Sequence, residues 1–165
     1  NLAIDARLSP DDAFQLLPDV LVAPHGEIPM AQMYIDHFRK QGLRNWSGIG
    51  IPLPDGSAMV VFNDAHPPKR IRATLMEEFF HLRLGHPPSV IRVYTDTGAF
   101  RNYDGTVEGE AYGSGAAALL PYACLKKVVA AGWSAEAIAT TMDVSVELVN
   151  FRAKVTKLYG KLQRN

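Results

Sequence analysis

The chain has 165 residues, 47% apolar and 21% charged, which suits one hydrophobic core, is short for two domains and excludes a disordered chain. Its 17 basic and 17 acidic residues cancel, so no net field steers it toward nucleic acid or an anionic membrane. The single cysteine, Cys124, excludes a disulfide framework and a cysteine-rich zinc motif and fits a reducing, cytoplasmic setting, while Pro121, Lys126 and Lys127 break the best apolar run short of the roughly 20 residues that span a bilayer.

The chain opens at Asn1, not Met, with no basic-then-apolar leader, the expectation for a trimmed piece of a longer sequence. Ser9-Pro10-Asp11-Asp12 supplies an N-cap, a proline for the first helical position and two acids at the positive end of the dipole, so a short helix runs toward Leu17 and ends at Pro18. Residues 20–29 read as irregular, with Pro24, Gly26 and Pro29. Met30, Met33, Tyr34 and Phe38 then recur at helical spacing up to Gly42, a stripe that reads as core. Residues 47–53 and 57–63 are β-rich runs around Pro54-Asp55-Gly56, which predicts an antiparallel hairpin. A helix over 69–84 carries Ile71, Leu75, Phe79, Phe80 and Leu82 on a wide apolar face, and Gly85 with Pro87-Pro88 ends it.

Residues 89–95 read as a strand and 96–105 as a turn-rich surface loop. Thr106 then reads as the cap of a helix over 107–120, whose run of small residues, among them Ala111, Gly113, Gly115 and Ala116, lets another backbone approach. Residues 121–131, 134–142 and 145–162 read as three further helices, punctuated by Gly132 and Asp143-Val144-Ser145. The sum is an α+β fold with a small antiparallel sheet and a helical C-terminal third. It reads as one domain over 1–165, with a core over 1–121 and C-terminal helices over 122–165.

The segment Glu77-Glu78-Phe79-Phe80-His81 is the most informative. At about 100° per residue, positions 77 and 81 share one helix face, so Glu77 and His81 can aim at one ion while Glu78 flanks it. This is the geometry of the zinc-peptidase helix His-Glu-x-x-His, in which the adjacent glutamate is the general base. With Glu77 in the first position, oxygen ligation makes manganese or iron competitive with zinc. A third ligand is expected from the first turn of the 106–120 helix, where Glu108 and Glu110 face different ways. Glu78 and His81 also form Glu-x-x-His, but a di-metal bundle needs a matching pair and two more long helices, whereas this chain has one such pair and interrupts itself with a hairpin and many prolines.

In Phe62-Asn63-Asp64, Arg70 to His86, Glu108-Gly109-Glu110-Ala111, Leu119-Leu120-Pro121, Ile138-Ala139 and Val144-Ser145, taken in order, the chain resembles the ImmA/IrrE family of metallopeptidases. The resemblance implies a zincin-like domain in which His81 is a metal ligand, Glu78 the catalytic glutamate and Glu108, three residues before Ala111, the downstream acidic ligand. Glu77 stands where the family has its first metal histidine, and Ser114-Gly115 where members usually have an aromatic residue and alanine. The resemblance further implies a zinc-dependent endopeptidase of the cytoplasm whose protein substrate is often a DNA-binding repressor. On that reading the metal polarises the scissile carbonyl, Glu78 moves the proton, and Tyr94, Tyr103 and Arg101 are candidate donors to the oxyanion.

Two readings of other classes stand beside it. One is a catalytically silent relative that binds a regulator. The other is a small DNA-binding regulator, because residues 134–152 resemble a helix-turn-helix and Arg152, Lys154, Lys157, Lys161 and Arg164 follow as a basic row. Glu147, early in the would-be recognition helix, argues against base contact and for a helical hairpin packed on the core. His86, just past Gly85, reads as a surface or supporting residue rather than a ligand. His25, His37 and His66 read as structural, and Lys69-Arg70-Arg72 as a solvated face or a brace for nearby acids.

Overall fold

The computed structural model describes residues 7–40, 42–44, 46–88, 91–94, 98–101 and 104–162, with backbone only at 38, 91–94 and 98–101. Helix α1 (Pro10–Phe14) starts where Ser9 caps it, the Ser9 hydroxyl oxygen accepting from the Asp12 amide. Strand β1 (Val20–Pro24) falls in the segment expected to be irregular. It lies parallel to β3 (Ala58–Phe62), which pairs antiparallel with β2 (Gly48–Pro52), giving the order β1-β3-β2. The sheet is therefore mixed, not purely antiparallel. Pro24 is tolerated because β1 is an edge strand, where a missing amide breaks no ladder. The 53–57 turn closes with the Leu53 amide donating to the Ser57 carbonyl, and the Ser57 hydroxyl and amide hold the Asp55 carboxyl below its ordinary range.

Helix α2 (Gln32–Arg39) forms, but Met33 and Tyr34 of its stripe are not core: they are 69% and 54% exposed, and among the helix's described side chains Ile35 is the buried one. Ile35 is one residue on from Tyr34, about 100° around the helix, so the expected face was rotated away from the contact. Helix α3 (Pro68–Arg83) packs on the sheet. Strands β4 (Ile91–Tyr94) and β5 (Gly98–Arg101) pair antiparallel, so part of the expected 96–105 loop is a strand. Helix α4 (Gly105–Leu119) is capped by Asp104, not Thr106: the Asp104 carboxylate accepts from the Thr106 and Val107 amides.

Helices α5 (Tyr122–Ala130), α6 (Ala135–Thr141) and α7 (Val146–Val155) follow, with Ser134 and Ser145 capping the last two. The last helix stops well before the expected 162. Lys157 takes φ +60°, and the Leu158 amide donates to the Ala153 carbonyl, a Schellman end without the glycine that usually announces one. The buried cluster draws on α1 (Ala13), α3 (Met76, Phe79), α4 (Ala116, Leu119), α5 (Leu125, Val128), α6 (Ile138) and α7 (Leu148, Val149). The Phe14 and Phe79 rings meet edge to face at 5.7 Å, joining α1 to α3.

The most extensive packing between two elements is that of α3 on α4, as the run of small residues implied. A Cβ placed on Gly115 would lie 3.0 Å from the Met76 carbonyl carbon and 3.1 Å from its Cβ and oxygen. Those are atoms of a mid-helix residue, which cannot swing aside as a side-chain tip can. Gly115→Val is expected to lower stability by about 1–3 kcal/mol through overpacking, despite valine's better helix propensity. Urea unfolding checks this, and a midpoint equal to that of the unsubstituted chain would contradict it.

Candidate metal centre

One turn of α3 separates Glu77 from His81, and the close approach of α4 brings Glu108, in its first turn, against them. Glu77, His81 and Glu108 each offer a ligand atom within 4.8 Å of the others. His81 Nε2 lies 3.6 Å from Glu108 Oε2, and both side chains are half-buried. Glu108, Ala111 and Gly115 recur at i, i+3 and i+7, so the stripe that packs on α3 also aims Glu108 at His81. Glu110 points elsewhere, its Oε2 3.3 Å from His86 Nε2.

Glu78 is buried, with its carboxylate against strand β2. A Cβ on Gly48 would come within 2.6 Å of Thr74 Cγ2 and 3.4 Å of Glu78 Oε1, and one on Gly50 within 3.5 Å of Glu78 Oε2. The two glycines thus form a cradle that any side chain at position 48 would fill. Glu78 stands between two hollows. One, about 190 Å³, is polar and lined by Arg44, Trp46, Thr74, Glu77 and Glu108; the other, about 80 Å³, is lined by Ile49, Pro52, Leu82, His86 and Pro87. Arg44 escaped sequence reasoning because a lone arginine in a turn carries no motif; the fold alone sets it, with Trp46, beside the acids.

The remaining candidates take other places. Tyr94 and Arg101 lack described side chains, and Tyr103 and Arg164 lie outside the described residues. His25 is buried with Nδ1 3.1 Å from Asp64 Oδ1, and His66 Nε2 lies 2.7 Å from the Leu43 carbonyl, so both tie loops together. Lys69 donates to the Ala139 carbonyl, Arg70 to the Ser47 hydroxyl, and Arg72 lies 3.4 Å from Asp143, so this basic cluster braces α3. Arg152 is taken out of the basic row of the DNA-binding alternative: it is buried, donates from Nε to the Leu120 carbonyl, and burial pushes its pKa down, as a helical hairpin packed on the core requires. Lys154 sits over the Tyr159 ring.

A family model, the IrrE N-terminal-like domain of the M78 peptidases, matches residues 26–154. The chain belongs to this family. No curated protein matches it. An IrrE-type domain is a metallopeptidase-like protein and implies a divalent metal. The donor set fits one: two carboxylates and an imidazole converge from two rigid helices, and carboxylate oxygen with imidazole nitrogen suits zinc, manganese or iron. Among the described residues of this IrrE-type domain, no helix is long and apolar enough to cross a membrane.

The charge at Glu77 has a reporter on α4. The Tyr112 hydroxyl is pushed above its ordinary pKa by burial first, then by the negative charges of Glu77 and Glu147. Because the folded value is raised, the neutral phenol contributes stability that is complete below the unfolded pKa of about 10 and is lost as pH rises through the folded value. Glu77→Gln is expected to move the Tyr112 midpoint down, toward the ordinary value without reaching it, since burial remains. Ultraviolet titration of the phenol checks this against a Tyr112→Phe control, and an unmoved midpoint would contradict it.

Proposed function

We propose that the chain is a zinc-dependent endopeptidase of the cytoplasm that cuts a regulatory protein such as a DNA-binding repressor, with Glu77, His81 and Glu108 as metal ligands and Glu78 as general base. The observation that carries this is the convergence of those three ligand atoms within 4.8 Å, with the buried Glu78 carboxylate on the adjoining helix face. A divalent ion held there supplies Lewis acidity toward a scissile carbonyl and its attacking water. The repressor substrate rests on the family resemblance, and the cytoplasmic setting on the one buried free thiol, Cys124.

The surroundings of Glu78 support its reading as the base. Lying one residue beyond Glu77, it faces the hollow that Glu77 and Glu108 line, and it can take the water proton and pass it to the leaving amine. The β2 glycines give its carboxylate room while keeping it beside the strand. Strand β2 is at the end of the β1-β3-β2 order, so an extended peptide can add to its outer edge by main-chain pairing and pass in front of Glu78. The hollow lined by Ile49, Pro52 and Leu82 suits an apolar side chain of that peptide.

Protein purified without chelator is expected to carry near-stoichiometric divalent metal by elemental mass spectrometry, and Glu77→Ala and His81→Ala to lose it. Glu78→Gln is expected to keep the metal and lose about 10²–10⁴-fold in cleavage of a quenched fluorescent peptide library. Metal-free protein that takes up no zinc would instead favour a catalytically silent relative, and an unchanged rate in Glu78→Gln would overturn the assignment of the base.

A further inference from the structure

The end of α3 does more than stop a helix. Gly85 takes φ +66°, its amide donates to the Leu82 carbonyl at 3.1 Å, and the His86 amide donates to the His81 carbonyl at 2.9 Å. These are the two bonds of a Schellman motif, with Gly85 in the left-handed position. A Cβ on Gly85 would meet nothing within 4 Å, so it is the backbone conformation, not space, that requires glycine. The reversal folds His86 back over the turn from which His81 projects, and the two rings meet at 5.1 Å between centroids and 72° between planes.

The contact is specific in its atoms. His86 Nδ1 lies 3.1 Å from His81 Nδ1, and His86 Nε2 lies 3.3 Å from Glu110 Oε2. A carboxylate only accepts, so His86 Nε2 carries the hydrogen that faces Glu110. In a neutral His86, Nδ1 is then an acceptor, and the hydrogen between the two Nδ1 atoms belongs to His81. His81 Nε2, 3.6 Å from Glu108 Oε2, is then the nitrogen that keeps its lone pair. The chain Glu110, His86, His81 therefore selects, from the carboxylate inward, the one tautomer of His81 able to ligate through Nε2. The His86 side chain is only 9% exposed, which keeps water from substituting for it, whereas Glu110 is 58% exposed.

We infer that His86 is a positioning residue for His81, delivered by the Gly85 turn, and that with Glu110 it locks the ring orientation and tautomer through which His81 binds metal. The inference rests on the metal-site reading above, and its test separates the two. Zinc affinity of the whole chain is measured by competition with a chromophoric chelator for the unsubstituted protein, His86→Ala, His86→Asn, His86→Gln and Glu110→Gln. Asparagine keeps an acceptor at the place of Nδ1; glutamine moves its amide out to the place of Nε2.

His86→Ala and His86→Gln are expected to weaken zinc binding by about 10- to 100-fold. His86→Asn is expected to stay near the unsubstituted protein, and Glu110→Gln to show a smaller loss because that end is wet. Long-range proton–nitrogen spectra of the metal-free protein are expected to show the His81 hydrogen on Nδ1, and a mixture of tautomers in His86→Ala. Thermal unfolding of the metal-free variants confirms that they fold, and if His86→Ala does not, the asparagine–glutamine contrast decides. Equal zinc affinity across all variants would overturn the positioning role while leaving the metal site standing. No zinc uptake by the unsubstituted chain would overturn both.

Discussion

Everything at the candidate centre depends on how closely α4 can lie against α3. Gly115 touches the backbone of Met76, and Ala111, one turn nearer the N-terminus of α4, is fully buried on the same stripe. Glu108 is the next residue of that stripe and the first with a functional group. With larger residues at 111 and 115 the helices would stand further apart, and the carboxylate would fall short of His81 however well it were conserved as a glutamate. The glycine's cost to helix stability, about 1 kcal/mol relative to alanine, is offset by the packing it permits. Close helix packing and ligand convergence are thus one property of the structure.

The same economy holds on the other face of α3. Gly48 and Gly50 leave β2 bare where Glu78 lies, so a buried carboxylate has room without being pushed toward Glu77. Three carboxylates then share one hollow with Arg44 at its rim. Like charges gathered in a half-buried site repel, and a bound cation is the natural means of relieving that repulsion.

What could be read in the sequence follows the range of the interactions involved. Helix α3 was legible to within a residue at each end, because Pro67-Pro68 and Gly85 mark its limits locally. The face shared by Glu77 and His81 was legible because it needs only helical geometry, whereas the choice between Glu108 and Glu110 needed the family pattern. What failed had distant partners. Strand β1 looked irregular because Pro24 is excused only by an edge position beside β3, and Met33 and Tyr34 looked like core because the helix gives no hint that Ile35 is the residue facing inward. The partner of Arg152 was equally out of reach of local reading, since the carbonyl it serves is 32 residues away.

That last contact links the two ends of the helical region. The Leu120 carbonyl, at the end of α4, would be a buried acceptor with no helical donor, and the Arg152 guanidinium from α7 satisfies it. Removing α7 would strip that acceptor and take Leu148, Val149 and Ala153 out of the buried cluster that also holds Leu120, Leu125 and Ile138. A protease cut between α4 and α5 would therefore not free a folded front half. The two pieces would stay associated or unfold together, so limited proteolysis of this protein should read as all or nothing rather than as the release of a stable front fragment.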